Sequence, residues 1–486
     1  MHRHFLRLLM GSRVWLVAGF LLLPPAFSAQ VPTEDEGWRP PYEYPYPDAL
    51  VPEVYAARRS QLLRYLGPHS LLVVFAAEPK VRTGDVLYPY RQSSWLWYLT
   101  GVSEPDAALL LSPKGVELGG RRLQELLGIP ERNPLRERWN GARMGPAEAE
   151  HLLRLPVLPR PQFDSLLQHL LPELDTLYVV AYPTPGLRLP LSGRVLFAER
   201  LEREWARERF PQLVLRQGFP PLTRMRAAKD THELRLLRRA LTITGEALVS
   251  LWRQARPGMG EWELQALLEA EMRRLGADGT AFPTILASGP NACILHYTDA
   301  RRRIHQGELV LVDCGAEYAG YAADITRTFP ISGHFTPEQR ALYQAVLEAQ
   351  DSAIAACRPG VPFRLPHWKA VAVLQKRLYE LGILSDTSDI RRYFPHSTSH
   401  HLGLDVHDVG PLDTLRPGFV ITVEPGVYIP PGSPCEQRWW GIGIRIEDVV
   451  LITDSGAELL SAALPRRAEE LERLLRADPR AVPKAR

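Results

Sequence analysis

The chain contains 486 residues, which is too long for one hydrophobic core and predicts two or three domains. Hydrophobic residues make up 45% and charged residues 23%, as in ordinary globular proteins, and the net charge of +3 gives no basic excess that would indicate nucleic acid as a partner. Four cysteines without a C-x-x-C pair exclude a zinc ribbon and a disulfide scaffold, and leave only a bridge between Cys357 and Cys435 open.

Residues 1–29 have the pattern of a cleaved secretory signal. The first stretch contains three arginines and no acid, residues 14–23 are apolar, and residues 26–29 offer small residues for cleavage. The apolar run is too short for a stable membrane span, although an uncleaved anchor is the alternative. We therefore expect an exported protein, periplasmic or secreted, that continues as an extended arm over residues 30–52.

Residues 53–220 alternate between apolar runs and helical stretches, which predicts a smaller α/β N-terminal domain. A cluster of Gly and Pro at 218–221 predicts its end. The expected helical stretches are 54–66, 152–174 with several prolines, and 198–209. The expected strands are 70–76, 95–99, 107–111 and 176–181.

Residues 221–465 predict an α+β domain, because two helix pairs alternate with strands. Asp230 should cap the first helix, and Thr336 begins a capping box with a proline at the next position. The other helices are expected at 261–275 and 366–381, and the strands at 309–313, 321–329, 419–424 and 442–452. Residues 466–486 predict a charged helix with a frayed tail.

A hairpin over residues 308–330 carries two carboxylates. If its turn centres between Tyr318 and Ala319, Asp313 and Asp324 are direct cross-strand partners with Cβ atoms roughly 5 Å apart. Two buried like charges at that distance require a cation between them, either a basic side chain or metal ions.

Three further stretches place ionisable residues in or beside apolar strands. Glu424 ends the segment FVITVE, Arg445 and Glu447 alternate with isoleucines on one strand, and residues 396–410 contain four histidines. Any single one could be an ordinary salt-bridged residue, but one arginine cannot neutralise four carboxylates. Four carboxylates with an imidazole suit a two-metal catalytic site for Mn²⁺, Co²⁺, Fe²⁺ or Zn²⁺. Such a site can polarise either a carbonyl or a phosphoryl oxygen, and the spacing does not choose between them.

At these residues the chain resembles the pita-bread metallopeptidases, which include methionine aminopeptidase, prolidase, aminopeptidase P and creatinase. The resemblance covers about residues 224–463 and rests on the segments ASGPNACILHYT, LVDCGAEYAGYAADITRTFP, HSTSHHLGLDVHDVG, TVEPGVY and GIRIED. It implies two divalent metal ions, with Mn²⁺ as the first expectation. The implied ligands are Asp313, Asp324, His400, Glu424 and Glu447. Asp324 and Glu447 would bridge the metals, Asp313 would complete one site, and His400 with Glu424 the other.

The N-terminal half of the chain shows which of these peptidases it resembles most. Residues 90–101, followed by Glu104 and Pro105, are similar to the N-terminal domain of aminopeptidase P, which prolidase shares and methionine aminopeptidase lacks. The resemblance implies hydrolysis of the Xaa-Pro bond in peptides with proline at the second position, by a hydroxide that bridges the metals. It also implies a homodimer or homotetramer. Phe282 departs from the family, because aminopeptidase P often has a tyrosine there that supports a metal ligand. A second departure is the short segment between His407 and Glu424. Because this segment helps to shape the substrate end of the site, the preferred length of the peptide substrate is less determined than the reaction type.

The same resemblance suggests roles for individual side chains. Glu424 is the expected proton acceptor and donor, and His296 and His407 are the expected catalytic imidazoles that flank the substrate. His396, Arg445 and Trp97 are candidates for substrate binding. For Arg445 the favoured alternative is orientation of the ligands, and for Trp97 it is packing in the core.

The residues leave three alternative functions to consider. A prolidase would require a cation that captures the carboxylate of an Xaa-Pro dipeptide, and the sequence places no such residue. A non-catalytic binding protein would be expected to lose ligands, and all five are present. A two-metal phosphoesterase has the same metal chemistry but would need a phosphate-binding loop.

Overall fold

The computed structural model describes residues 41–180 and 212–476. The leader expected over 1–29, the helix expected over 198–209 and the tail beyond residue 476 lie outside this part of the chain. Within it, no helix is both long and apolar enough to cross a membrane.

The first domain is built on a six-stranded mixed sheet. Its helices are α1 (Pro52–Leu63), α2 (Ser94–Thr100), α3 (Pro134–Asn140), α4 (Pro146–Leu153) and α5 (Arg160–Leu170). Its strands are β1 (Ser70–Phe75), β2 (Val81–Thr83), β3 (Val86–Leu87), β4 (Ala108–Leu118), β5 (Arg121–Ile129), β6 (Val157–Pro159), β7 (Thr176–Val180) and β8 (Val214–Gln217). The sheet order is β6-β5-β4-β1-β7-β8, in which β1 runs antiparallel to β4 and parallel to β7.

Strand β1 is apolar after Ser70, as expected for a strand that is buried on both faces. Leu71 and Val73 pack on one side in a cluster with Phe163 of α5. Leu72 and Val74 face the other side and belong to the large core that continues into the second domain.

The strand predicted at 95–99 is wrong, since these residues lie in helix α2. Leu96, Trp97, Tyr98 and Leu99 are all buried, so no polar position marks a helical period. A short apolar run that is buried on every side cannot be assigned by periodicity alone. Gly101 ends the helix in the left-handed conformation, with φ 68°.

The second domain combines long helices with several small sheets. Its helices are α6 (Pro220–Ala227), α7 (Thr231–Gln254), α8 (Glu261–Arg274), α9 (Pro337–Ala356), α10 (Leu365–Glu380) and α11 (Ala468–Arg476). Its strands are β9 (Gly279–Thr280), β10 (Ile285–Ser288), β11 (Leu309–Cys314), β12 (Ala316–Tyr318), β13 (Tyr321–Ala322), β14 (Ile325–Pro330), β15 (Val420–Val423), β16 (Gly426–Ile429), β17 (Ile442–Arg445), β18 (Asp448–Ile452) and β19 (Ala457–Leu459). The sheets are β10-β11-β14, β13-β12-β9, β15-β18-β19 and β16-β17.

Both predicted helix starts are confirmed. Asp230 accepts a hydrogen bond from the backbone N–H of Glu233 at 2.9 Å, and the Glu233 carboxylate accepts one from the N–H of Asp230. Thr336 and Gln339 make the same reciprocal pair at the start of α9. Each capping box satisfies N–H groups that the first helical turn leaves free.

The register predicted for the hairpin is wrong by two residues. Tyr318 pairs with Tyr321, so the turn lies at Ala319 and Gly320, and Asp313 faces Thr326 rather than Asp324. Both turn residues have positive φ, 49° and 79°, as a two-residue turn of type I′ requires. A shift by two residues preserves the face of each side chain, so Asp324 remains beside Asp313.

Polar contacts join the two domains next to this hairpin. Trp97 donates its indole N–H to the carbonyl of Ala319 at 3.0 Å. The Ser94 hydroxyl donates to Asp405 at 2.7 Å, and Arg58 forms an ion pair with Asp230. All four cysteines are free, so the bridge left open between Cys357 and Cys435 is not present.

Candidate active site

A cavity of about 670 Å³ opens in the second domain beside the hairpin. It is lined by every predicted site residue except Trp97: His296, Asp313, Asp324, His396, His400, His407, Glu424, Arg445 and Glu447. Residues separated by up to 151 positions in the sequence therefore meet at one surface.

The four carboxylate ligand candidates lie at strand ends, whereas His400 lies in the irregular segment before β15. Asp313 lies near the end of β11, whereas Asp324, Glu424 and Glu447 each occupy the gap between two strands. The continuous strand predicted over 442–452 is thus broken at residues 446–447. A carboxylate at such a break leaves the strand's hydrogen-bonding ladder and can turn into the cavity.

Three of these side chains form a compact donor group. One ligand atom each of Asp324, His400 and Glu447 lies within 4.8 Å of the other two. The Nε2 atom of His400 is 3.5 Å from Oδ2 of Asp324 and 3.5 Å from Oε1 of Glu424. The other ring nitrogen of His400 lies 3.0 Å from the carbonyl of His401, which favours a proton on Nδ1 and leaves Nε2 as a ligand.

The clustered carboxylates of the cavity require compensating cations if they are to be ionised together. Burial, together with neighbouring carboxylates, raises the pKa of Asp324 and of Glu447 well above the usual range. Burial also raises the pKa of Glu424 to about 7, although His400 opposes the shift. Among the described residues, Oδ1 of Asp313 is buried without a hydrogen-bond donor. Oxygen-rich donors with one imidazole are the set that divalent metal ions bind, so these residues fit such ions.

Arg445 is engaged entirely by protein groups around the cavity. Its guanidinium donates to Asp313 Oδ2 at 2.6 Å, to Tyr428 Oη at 2.9 Å and to Thr326 Oγ1 at 3.1 Å. Thr326 in turn donates to Glu447 at 2.7 Å. These contacts correspond to the alternative that the sequence favoured for Arg445, in which it orients the ligands.

Tyr428 and Thr326 were missed from the sequence. Tyr428 also lies 2.8 Å from Nε2 of His396, so it links that histidine to Arg445. Each stands an even number of positions after a ligand candidate: Thr326 is two residues after Asp324, and Tyr428 is four residues after Glu424. Because side chains at even spacing share one strand face, this pattern could have indicated them.

Two of the histidines outside the donor group, His396 and His407, have lowered pKa values. Burial, reinforced by Arg445, lowers the pKa of His396 to about 4. Burial and the nearby His400 lower the pKa of His407, whose ring lies 4.4 Å from that of His400. His396 and His407 are therefore neutral imidazoles at neutral pH.

Trp97 is placed elsewhere than predicted for substrate binding. It is 6% exposed, packs edge-to-face against Tyr46 and lies between the domains, outside the cavity lining. Phe282 does line the cavity, where it forms an apolar wall with Pro283 and Ile285. Apart from Phe282, these wall residues carry no chemical signal that sequence reasoning could have used.

Carboxylates at strand ends, one imidazole in the same donor group and neutral histidines beside them are the features of a metal-dependent hydrolase. The family model described as Metallopeptidase family M24 matches residues 235–454, and the one described as Aminopeptidase P, N-terminal domain matches residues 55–178. The chain belongs to metallopeptidase family M24, with an aminopeptidase P type N-terminal domain before a pita-bread catalytic domain.

Relatives of known structure and sequence share both domains. The chain is 36% identical to Xaa-Pro aminopeptidase of Haemophilus influenzae over 89% of its own length and 99% of that protein. It resembles the solved structure of Pseudomonas aeruginosa aminopeptidase PepP with a TM-score of 0.80 and 35% identity, over 87% of this chain and 98% of the other. Escherichia coli aminopeptidase P with the inhibitor Pro-Leu gives a TM-score of 0.79 at 36% identity, with the same coverage.

Proposed function

We propose that this protein is an Xaa-Pro aminopeptidase, which releases the N-terminal residue from peptides with proline at the second position. The observation that carries the proposal is the complete donor set in one cavity, Asp313, Asp324, His400, Glu424 and Glu447. The name and the coverage of the two-domain relatives support the substrate class.

Two divalent ions would be held by these five residues, and we propose Mn²⁺ as the native metal. When bound, such ions activate water at neutral pH and polarise the scissile carbonyl. Glu424 lines the cavity beside the other ligand candidates, where its carboxylate can accept and return a proton during the reaction. His296 and His407 line the cavity, where their imidazoles can hydrogen-bond the carbonyl of the residue before proline.

The cavity suits a longer peptide better than a dipeptide. A dipeptidase has to pair the substrate's carboxylate with a cation, because an unpaired charge in a closed pocket is costly. Arg445 is the one Arg or Lys among the described residues that line the cavity, and it is already bound to Asp313. The prolidase alternative is therefore not favoured.

A substrate panel tests the proposal. With Mn²⁺ present, the purified enzyme should cleave Xaa-Pro-Yaa at least as well as Xaa-Pro, and Xaa-Ala-Yaa far more poorly. The product should be the free first residue, identified by mass spectrometry. Turnover of Xaa-Pro with every Xaa-Pro-Yaa inert would replace this function by a prolidase, and turnover of a phosphate ester alone would indicate a phosphoesterase.

We further propose that the protein is exported and assembles as a homodimer or homotetramer. The arginine-containing and apolar start of the chain supports export, with the mature protein beginning near Ala29 or Gln30. N-terminal sequencing from an exporting host tests this, and an intact Met1 in the soluble fraction would contradict it. Light scattering that shows only monomer at micromolar concentration would contradict the assembly.

A further inference from the structure

Glu261 is a fully buried carboxylate that lies outside the cavity lining. It is the first residue of α8 and accepts hydrogen bonds from four residues of the segment 288–302, which begins at the end of β10. Its Oε1 atom accepts from the Ser288 N–H and hydroxyl at 2.8 Å each and from Asn291 at 3.2 Å, and its Oε2 atom accepts from the Tyr297 hydroxyl at 2.8 Å and the Arg302 N–H at 2.9 Å. The Glu261 side chain thus makes hydrogen bonds to both ends and to the middle of the segment 288–302.

This loop, which we call the His296 loop, forms part of the cavity wall. Leu295, His296 and Thr298 line the cavity, and Tyr297, which donates to Glu261, is the neighbour of His296 in the chain. Within the described residues, the His296 ring makes no hydrogen bond to another protein group. Its position therefore depends on the backbone of the loop.

The other two cavity histidines outside the donor group do not depend on this loop. His396 is held by Tyr428 and by the carbonyl of Ser397, each at 2.8 Å. His407 packs its ring against His400. A disturbance of the His296 loop should consequently affect His296 and leave the placement of these two rings intact.

A carboxylate is required at residue 261 for a simple reason. Two of its donors, the N–H groups of Ser288 and Arg302, belong to the backbone and cannot turn round to accept. Glutamine has the same size, but its NH₂ group would face one of these N–H groups in either orientation. A buried donor that meets another donor loses its hydrogen bond and costs free energy.

We propose that Glu261 is a positioning residue for the reaction, which acts by holding the His296 loop so that the His296 imidazole faces the substrate carbonyl. The inference rests on the proposed function, in which His296 contacts that carbonyl. In this proposal the rate of hydrolysis depends on a residue, Glu261, that neither lines the cavity nor belongs to the metal-ligand candidates.

A double-mutant cycle on Xaa-Pro-Yaa hydrolysis tests the proposal. We expect Glu261→Gln to lower kcat by about 10- to 100-fold with KM changed less than about threefold, as for other residues that orient catalytic groups. If Glu261 acts through His296, the double variant with His296→Ala will be no slower than His296→Ala alone. If the loss of kcat in the double variant equals the product of the losses in the two single variants, the proposal is overturned. A Glu261→Gln enzyme with the kcat of wild type would also overturn it.

Matched variants control for general damage. Glu263→Gln makes the same chemical change on the same helical turn at an exposed residue. The amide oxygen of glutamine can still accept the capping hydrogen bond from the Gly260 N–H, so kcat should stay within about twofold of wild type. If Glu261→Gln fails to fold, Tyr297→Phe removes only one of the five hydrogen bonds and should lower kcat about threefold, which corresponds to a fraction of a kcal/mol of lost orientation. A Tyr297→Phe variant with unchanged turnover would then count against the proposal.

Histidine NMR separates this proposal from the proposed function. In protein labelled with ¹³C at the histidine Cε1, the His296 signal is identified by its loss in His296→Ala. It should shift or broaden in folded Glu261→Gln and stay unchanged in Glu263→Gln, while the signal of exposed His334 stays unchanged in both. A wild-type enzyme inert toward Xaa-Pro-Yaa would refute the proposed function, whereas an unmoved His296 signal would refute the positioning role of Glu261.

Discussion

Arg445 and Asp313 form a buried ion pair at the wall of the cavity, with Nη2 of the arginine 2.6 Å from Oδ2 of the aspartate. The same guanidinium donates to Tyr428 and Thr326, so one planar group sets the direction of a ligand candidate and of two residues behind it. A point charge could not make these three contacts together.

We expect Arg445→Lys to lower kcat/KM by about 10- to 100-fold while the protein stays folded, because an ammonium group can replace only one of the three contacts. Steady-state kinetics on Xaa-Pro-Yaa, with circular dichroism to check folding, measures this. Arg416→Lys is the control, since Arg416 pairs with Asp413 at the exposed surface. An Arg445→Lys enzyme as active as the control would contradict the orienting role.

Asp324 and Glu447 are expected to hold both metal ions. Asp324→Ala and Glu447→Ala should each lower turnover by more than about 100-fold, beyond the loss typical of a residue that only supports a ligand. The metal content, measured by mass spectrometry after dialysis, should fall in both variants. Glu458→Ala removes an exposed carboxylate and should retain the wild-type metal content. Substantial turnover of either ligand variant at saturating Mn²⁺ would show the ligand assignment to be wrong.

The metal-free protein should become less stable as the pH rises from about 4.5 to about 7. Burial raises the pKa of Glu424 from 4.5 to about 7 in the folded state, so over this range the folded protein binds a proton that the unfolded chain has released. Stability then falls with pH, by an amount of order 1–3 kcal/mol for this group.

Urea unfolding of chelator-treated protein at several pH values measures this dependence. The Glu424→Gln variant lacks the titrating group and should show a flatter decline over the same range. A wild-type protein whose free energy of unfolding rises with pH in parallel with the variant would contradict the expectation. Saturating Mn²⁺ should reduce the decline, because bound cations favour the ionised carboxylates.

A buried charge cluster beside His407 should be important for stability. Asp408 lies 2.5 Å from Arg226 and 2.9 Å from Lys229, and all three side chains are at most 1% exposed. Asp408→Asn should lower the free energy of unfolding by about 3–5 kcal/mol, because it leaves buried Lys229 with a neutral partner and Arg226 with only the partly exposed Asp405. Asp413→Asn, in the same segment but exposed and paired with Arg416, should change it by less than about 0.5 kcal/mol. Equal effects of the two substitutions in urea unfolding would refute this expectation.

The amino-acid sequence by itself identified the residues whose chemistry is unusual for their surroundings. Asp313, Asp324, Glu424 and Glu447 stand out because carboxylates in or beside apolar strands need a compensating charge. The helix starts at Asp230 and Thr336 were equally accessible, because a capping box involves only residues three positions apart.

Only the tertiary structure decided what depends on distant contacts. The hairpin register moved by two residues, since a turn with positive φ at Ala319 is selected by the surrounding sheets and not by a residue that favours that conformation. Trp97 lies between the domains because the helix that carries it is buried on all sides, which no local period reveals. Glu261 has an ordinary sequence signature at the start of a helix, and its link to His296 exists only because the chain returns 27 to 41 residues later to place five donors around one carboxylate.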